Sequence, residues 1–267
     1  MCYNYGVISP SQHIVIALIT LVGAAANSIA GGGTLLTFPA LVGLGVPSLV
    51  ANATSTVALW PGTLTSMYGY RDELRGAKAV AIAFFIPSVL GGLVGGVLLT
   101  LTTQRQFDHI VPWMVGFATT VFMLQKPILA ALRRYSLAHP ARENPASHRP
   151  PMGFMIAHFF VSIYGGYFGG GAGMLILASL GLIGLTNIHQ MNGLKNYFAI
   201  TFNLVAILAF IWKGLVDWPI AATMAVGSLV GGWAGSNLAQ KVPQSWIRGS
   251  VTVIGFSSAI WLFTHTK

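Results

Sequence analysis

Lys195 lies among apolar residues in the second half of the sequence. Two amides flank it, Asn192 at i−3 and Asn196 at i+1. An ammonium at membrane depth costs about 3 kcal/mol or more, so lysines found there usually serve a function. With the neighbouring amides, this ammonium would suit an anionic solute. The alternative is that Lys195 lies near a helix end and extends to the lipid headgroups. We favour anion binding.

Two glycine-rich runs could contact the same anion. The first contains Gly31, Gly32 and Gly33, and the second contains Gly171 and Gly173. Glycine clusters destabilise helices and permit positive φ, so each run is expected to break its helix. The half-helix after each break would direct its N-terminal amides and positive dipole end into the protein, which favours an anion. Close helix packing through small residues is an equally good interpretation.

A second set of polar side chains lies in an apolar stretch of the first half. Asn52, Thr54 and Ser55 could donate hydrogen bonds to the oxygens of an anion. Taken singly, each of them, like Asn192 and Asn196, is more typical of a hydrogen bond between membrane helices.

Other chemistry finds little support in the sequence. The acidic residues fall in loops or at the edges of apolar stretches, so none is an obvious site for a proton or sodium ion. His158 and His189 have no carboxylate or second histidine at ligand spacing, which favours structural roles over proton relay. No nucleotide-binding loop, metal cluster or nucleophile triad is present. We therefore expect neither an enzyme nor a cofactor. The acidic residues are Asp72, Glu73, Asp108, Glu143 and Asp217.

Composition indicates that these residues belong to a membrane protein. Of 267 residues, 54% are hydrophobic and 7% are charged, and the mean hydropathy is +0.71. A water-soluble domain of this size could not bury so much apolar surface. A spanning helix needs about 20 mostly apolar residues. Eight uncharged stretches are candidate spans: 11–30, 50–70, 79–103, 109–125, 152–172, 196–212, 218–240 and 249–264.

The net charge of +9 indicates membrane topology rather than nucleic-acid binding. Eight of the fourteen basic residues lie in two connections between spans, which the positive-inside rule places in the cytoplasm. The seven tryptophans lie mostly near predicted span ends and are interpreted as interfacial anchors. The N-terminal stretch 1–12 does not resemble a signal peptide. The eight basic residues are Arg71, Arg75, Lys78, Lys126, Arg133, Arg134, Arg142 and Arg149.

The two halves of the chain resemble each other at an offset of 140 residues. Their third long stretches share the pattern Ser-x-x-Gly-Gly-x-x-Gly, starting at Ser88 and Ser228. On a continuous helix this spacing is chiefly a packing device. Other matched pairs are Gly31 and Gly171, Gly33 and Gly173, Asn52 and Asn192, and Leu98 and Leu238.

The duplication predicts an all-α polytopic membrane protein of two homologous four-segment repeats. The repeats are 1–130 and 152–267, and 131–151 is a cytoplasmic linker. Paired broken segments are typical of secondary transporters, which bind substrate near the midplane between repeats. If the short apolar pieces 34–46 and 174–186 fold back as re-entrant hairpins, the repeats are inverted. If they extend loops, the repeats are parallel. We favour inverted repeats, with the N-terminus outside.

Two longer motifs carry a family resemblance. The first is Asn27-Ser-Ile-Ala-Gly-Gly-Gly-Thr-Leu-Leu-Thr-Phe-Pro-Ala-Leu41, followed by Gly-x-Pro and Ala51-Asn-Ala-Thr-Ser55. The second is the glycine-rich run from Gly169 to Asn196. With both motifs the chain is similar to the sulfite exporter TauE/SafE family of membrane permeases over nearly its whole length.

The resemblance implies a bacterial inner-membrane permease of seven or eight helices for sulfite, sulfonates, sulfoacetate or related organic anions. We predict a secondary transporter for such an anion that works by alternating access. An anion channel, or a non-transporting membrane sensor or scaffold, is the alternative. The expected partners are a small anion and the lipid bilayer; nucleic acid is excluded, and a homodimer stays open. The predicted site is Gly31, Gly32, Gly33, Asn52, Thr54, Ser55, Gly171, Gly173, Asn192, Lys195 and Asn196.

Overall fold

The computed structural model describes residues 9–124, 150–238 and 244–265, and also residues 127, 128, 130, 131 and 134. Within these residues the chain forms helices and short connections, without a strand, and the all-α prediction is confirmed. Most of the predicted linker lies outside the described residues. So do Lys126, Arg133, Arg142, Glu143 and Arg149.

Among the described residues each half combines long helices with a short helix of 10 or 11 residues, and the first half also has a four-residue helix, α4. The first half forms α1 (Pro10–Ala30), α2 (Thr34–Gly43), α3 (Ser48–Gly69), α4 (Arg71–Leu74), a 3₁₀ turn (Arg75–Ala77), α5 (Lys78–Leu101) and α6 (Gln104–Met123). The second half forms α7 (Met152–Tyr167), α8 (Ala172–Leu182), α9 (Ile188–Lys213), α10 (Trp218–Leu238) and α11 (Gln244–His265).

Helix ends follow local sequence signals. Before α1, the Ser9 hydroxyl accepts a hydrogen bond from Gln12 N, and the Gln12 side chain accepts one from Ser9 N, forming a capping box. Pro10 occupies the first helical position, where its missing N–H costs nothing. The helix ends at Gly31, whose φ of 80° is a left-handed conformation that suits glycine.

Three helical segments among the described residues are long and apolar enough to cross a bilayer by length and composition: Pro10–Ile29, Arg71–Leu101 and Ile188–Lys213. Large apolar side chains on them face outward; Ile82 is 69% exposed. By contrast, α2 and α8 have 10 and 11 residues. At about 1.5 Å per residue each reaches roughly half the hydrocarbon thickness, as predicted for the short apolar pieces.

The most extensive helix contacts join one half of the chain to the other. Helix α1 packs on α10, and its counterpart α7 packs on α5. Helix α3 also packs on α10, and its counterpart α9 packs on α5. Two counterpart pairs meet directly, α3 with α9 and α6 with α11. Each of these contacts therefore has an equivalent in which the two helices are replaced by their counterparts from the other half. The packing has the pseudo-two-fold symmetry that a duplication predicts.

Counterpart helices run in opposite directions where they meet. On α3, Trp60 donates its indole N–H to the Ile200 carbonyl at 3.2 Å. Six residues further along, Ser66 accepts a hydrogen bond from Asn196 at 2.7 Å. The residue number therefore rises along α3 as it falls along α9.

The matched glycine patterns of α5 and α10 are packing surfaces. A Cβ added at Gly92 would lie 2.6 Å from Phe202 Cα, and one at Gly95 would lie 2.8 Å from Tyr167 N. On α10, a Cβ at Gly231 would collide with the Leu21 backbone. Close backbone approach through small residues, as predicted, holds these helices together.

Candidate functional site

Both glycine runs interrupt a helix, and the interruptions lie at equivalent positions of the two halves. Gly31 follows α1 with φ 80°, and its counterpart Gly171 precedes α8 with φ 76°. A second pair, Gly45 and Gly184, which is one residue short of the 140-residue offset, has φ values of 85° and 96° just after α2 and α8. The backbone therefore repeats the duplication that the sequence shows.

The two breaks touch each other inside the protein. A Cβ added at Gly31 would lie 3.0 Å from the Gly173 Cα, and the reverse substitution gives the same distance. The other glycines of the runs contact different neighbours. A Cβ at Gly32 would strike the Phe122 ring, and one at Gly171 would lie 3.1 Å from Ala118 Cα. Gly33 faces α1, since its Cβ would lie 2.8 Å from the Gly23 carbonyl oxygen.

A narrow cavity of about 40 Å³ lies beside the touching breaks. One face of α3 and the matching face of α9 line it, with the three counterpart pairs Thr56 and Asn196, Leu59 and Ala199, and Thr63 and Asn203. Because a water needs at least roughly 10–15 Å³ of such space, the cavity has room for about three waters or one small oxyanion.

Lys195 lies in the wall of this cavity and is 1% exposed. Its ammonium donates to the carbonyls of Asn27 at 2.8 Å and Ser28 at 2.9 Å, in the last turn of α1. Helix α9 begins at Ile188, so Lys195 lies two turns inside it. Because the side chain is buried and its ammonium donates to carbonyls inside the protein, Lys195 does not extend to the lipid headgroups.

Two amides at the cavity keep unused hydrogen-bonding capacity. Asn196 donates to Ser66 Oγ at 2.7 Å, and Ser66 in turn shares a 2.7 Å hydrogen bond with Ser28 Oγ. The Oδ1 atoms of Asn196 and Asn203 are buried and have no hydrogen-bond partner among the described residues. A buried polar atom without a partner costs free energy. Because an amide oxygen accepts hydrogen bonds, a water or a solute with an O–H or N–H donor would satisfy these groups.

Four members of the predicted site line the cavity: Gly31, Gly173, Lys195 and Asn196. Gly32, Gly33, Gly171, Asn52, Thr54, Ser55 and Asn192 do not.

The predicted polar residues of α3 connect helices instead. Asn52 donates to the Tyr167 carbonyl at 2.9 Å, at the end of α7. Thr54 Oγ1 accepts from Asp217 N at 3.0 Å, just before α10. Ser55 Oγ shares a 2.5 Å hydrogen bond with Thr37 on α2. These are the interhelical hydrogen bonds that were the alternative interpretation.

Several lining residues were missed by the sequence analysis. Trp60 was interpreted as an interfacial anchor, which is wrong, because it lies mid-helix in α3 and lines the cavity. Thr56, Thr63 and Asn203 were not selected. Their spacing of seven residues, from 56 to 63 and from 196 to 203, marks one helix face and was the available signal.

The histidine in the apolar interior has a structural environment. His158 is 1% exposed and shares a 2.8 Å hydrogen bond between Nε2 and Ser88 Oγ. Its ring lies against those of Phe84 and Phe198. The predicted hydrogen-bonded structural role agrees with these contacts.

The described acidic residues stay away from the cavity. Asp108 accepts hydrogen bonds from Ser48 and Gln104. Asp217 accepts one from Ile220 N at 3.0 Å, and Asp72 forms exposed ion pairs near α4. Within the described residues the cavity wall therefore carries one formal charge, the Lys195 ammonium.

Comparison with known proteins identifies the family. The family model described as "Sulfite exporter TauE/SafE" matches residues 15–262. The chain belongs to the sulfite exporter TauE/SafE family. It is 27% identical over 250 residues to a "Probable membrane transporter protein" of Haemophilus influenzae, covering 91% of this chain and 92% of that protein. It is 26% identical to "Probable membrane transporter protein YfcA" of Escherichia coli K12, covering 92% and 88%. No solved structure matches the chain.

Membership of the TauE/SafE family makes this chain a multi-pass membrane transporter, which agrees with its apolar helices. The family is a transporter family rather than a class of enzymes. A small substrate and a lipid environment follow from the same assignment.

Proposed function

We propose that this TauE/SafE transporter carries a small anion, such as sulfite or a sulfonate, by alternating access. The central cavity is its binding site. One observation carries the proposal: the two helix breaks meet at a cavity whose wall contains a buried ammonium. A carboxylate, in contrast, is absent from the wall among the described residues.

The donors for an anion are the starts of α2 and α8. Their N-cap residues, Gly33 and Gly171, have no side chain to accept from the first-turn amides. Thr34, Ala172 and Gly173, at the starts of these helices, line the cavity. Several first-turn amides already donate to carbonyls, among them Leu35 N to Gly32 and Ala172 N to Gly169. The Thr34 and Gly173 amides make no such bond among the described residues, and together with the positive helix ends they favour an anion. Lys195 adds a positive charge nearby.

Inverted repeats, with α1–α2 and α7–α8 as re-entrant hairpins, form the proposed architecture. The opposite directions of α3 and α9 support inversion. Helix α2 folds back along α1: Gly33, just before α2, lies against Asn27 and Gly23, and Thr37, one turn into α2, still lies against Gly23. This supports a hairpin. The repeats are 1–130 and 152–267 in a bacterial inner membrane, with the linker 131–151 in the cytoplasm.

A binding screen on purified protein tests the site. Sulfite, sulfonates, sulfoacetate, thiosulfate and carboxylates, as Tris salts, are added while thermal unfolding is recorded. We expect saturable stabilisation of the wild type by at least one of these anions. Lys195→Ala should stay folded and lose most of this response, since it removes the charge beside the site. Wild-type affinity in that variant would remove Lys195 from the site, and no response to any of the anions would contradict the proposed substrate class.

A further inference from the structure

The Lys195 ammonium occupies the C-terminal end of a helix that stops inside the protein. The last carbonyls of a helix lack intrahelical partners and carry the negative end of its dipole. At the end of α1 the Asn27 carbonyl accepts from both Gly31 N at 3.0 Å and Lys195 Nζ at 2.8 Å. The Ser28 carbonyl accepts from the same ammonium at 2.9 Å.

The charge of Lys195 is balanced by these carbonyls rather than by an acidic side chain. Among the described residues, the ion pairs join Asp72 to Arg71 and Arg75, near α4. Backbone carbonyl oxygens are ligands for small hard cations. In secondary transporters the C-terminal ends of broken helices coordinate Na⁺.

In the second half, the carbonyl at the end of the broken helix accepts a hydrogen bond from an uncharged side chain. At the end of α7, the Tyr167 carbonyl accepts from the Asn52 side-chain amide at 2.9 Å. Asn52 corresponds to Asn192, which lies one helical turn before Lys195. One broken helix therefore ends on an ammonium and its counterpart ends on a neutral amide.

We propose that Lys195 is a tethered cation that fills, from within the protein, a cation position at the end of α1. The wild-type chain then needs no free alkali cation there. Removing the side chain uncovers a site for a small cation, bounded by the Asn27 and Ser28 carbonyls. Because this role concerns the end of α1, it goes beyond the binding of substrate in the cavity.

Thermal unfolding of purified proteins in different salts tests the tethered cation. Wild type, Lys195→Ala and the matched control Asn52→Ala are compared in choline, sodium and methylammonium chloride at equal ionic strength. We expect the same Tm for wild type in all three salts. For Lys195→Ala we expect a Tm lower by roughly 5 °C or more in choline chloride. Sodium or methylammonium should raise it in a saturable way.

The control variant Asn52→Ala shows whether a cation response comes from a vacated cation position or simply from the loss of a hydrogen bond at a helix end. Asn52→Ala also frees a carbonyl at a helix end, but it should show no preference among the cations. If Lys195→Ala does not fold, Lys195→Ser, whose short side chain also leaves the ammonium position open, should show the cation response. Equal Tm values in all three salts for the folded Lys195 variant, or an equal cation response in wild type, would overturn the proposal.

The cation comparison tests the role of Lys195 separately from anion binding in the cavity. Tris sulfite is added to the same wild-type samples. If sulfite does not raise the Tm of the wild type, this counts against the proposed function but does not affect the comparison of cations. A sulfite response without any cation response in the Lys195 variants would overturn the tethered cation alone.

Discussion

Gly31 meets two geometric requirements at the centre of the molecule. Its φ of 80° ends α1 in a left-handed conformation, which costs most L-residues about 1–2 kcal/mol. Its missing side chain also lets Gly173 approach, because a Cβ would lie 3.0 Å from the Gly173 Cα. The first requirement concerns local backbone, and the second holds the two breaks together at the cavity.

Substitution by alanine separates these requirements. Gly31→Ala should lower stability and abolish anion binding, because it strains φ and separates the breaks. Gly45→Ala is the matched control, since Gly45 has a φ of 85° but open space around it. It should lose a similar 1–2 kcal/mol or so from strain and keep anion affinity. Thermal unfolding with and without sulfite measures both effects, and equal loss of affinity in the two variants would contradict this role of Gly31.

His158 gives a second prediction at the level of single residues. His158→Gln should lower the free energy of unfolding by about 1–2 kcal/mol, because the hydrogen bond to Ser88 is disturbed. The dependence of transport on pH should stay as in the wild type, since the ring lies between Phe84 and Phe198. Uptake measured across a pH series checks this. A flattened profile in the variant would indicate proton relay through His158.

At the level of elements, the glycine faces of α5 and α10 bring helices of different halves into backbone contact. Helix α5 lies against α7 through Gly91 and Gly95, and α10 lies against α1 through Gly227 and Gly231. In lipid such contacts gain from close packing rather than from apolar burial. These two helix pairs therefore join the halves around the cavity.

Adding one methyl group to this face tests its importance. Gly95→Ala should cost about 1–3 kcal/mol of stability, because the added Cβ would lie 2.8 Å from Tyr167 N and helices must move apart. Gly116→Ala is the matched control, since Gly116 lies within α6 with nothing close to its Cβ position. The control should be neutral or stabilised by up to about 1 kcal/mol. Equal thermal stability of the two variants would contradict close packing at α5.

The elements also show what the sequence could predict. Both helix breaks were predicted, because glycine runs between apolar stretches are a local signal. The start of α9 was placed too late. Its first turns are polar, but Asn187 caps the helix at Ile188 and Met191 to Asn196 are buried by other helices. The cavity face with Trp60 and Asn203 was missed, because only the partner helix distinguishes a lining residue from a packing residue.

At the scale of the whole molecule, the start of α9 lies beside the end of α3. Gln190 donates to the Glu73 carbonyl at 3.4 Å, and Gly193 lies against Leu74. The turn after α3 carries Arg71, Arg75 and Lys78, which the positive-inside rule places in the cytoplasm. The connection before α9 should then be cytoplasmic, and its counterpart before α3 should be outside.

Cysteine labelling tests this inverted arrangement. In a background with Cys2→Ser, Gly43→Cys and Thr186→Cys place single thiols at exposed positions before α3 and α9. A membrane-impermeant maleimide should label Gly43→Cys in intact cells and Thr186→Cys only in inside-out vesicles. Arg75→Cys is the control for the cytoplasmic side. Labelling of positions 43 and 186 from the same side would indicate parallel repeats.

Flux of ³⁵S-labelled sulfite into proteoliposomes tests the central claim, that the cavity at the two helix breaks binds and carries an anion. For wild type, uptake should saturate with sulfite concentration and respond to the membrane potential. Gly31→Ala should lose this uptake, and Gly45→Ala should retain it. Uptake by Gly31→Ala at the wild-type rate, or flux that never saturates and reaches channel conductance, would contradict the account.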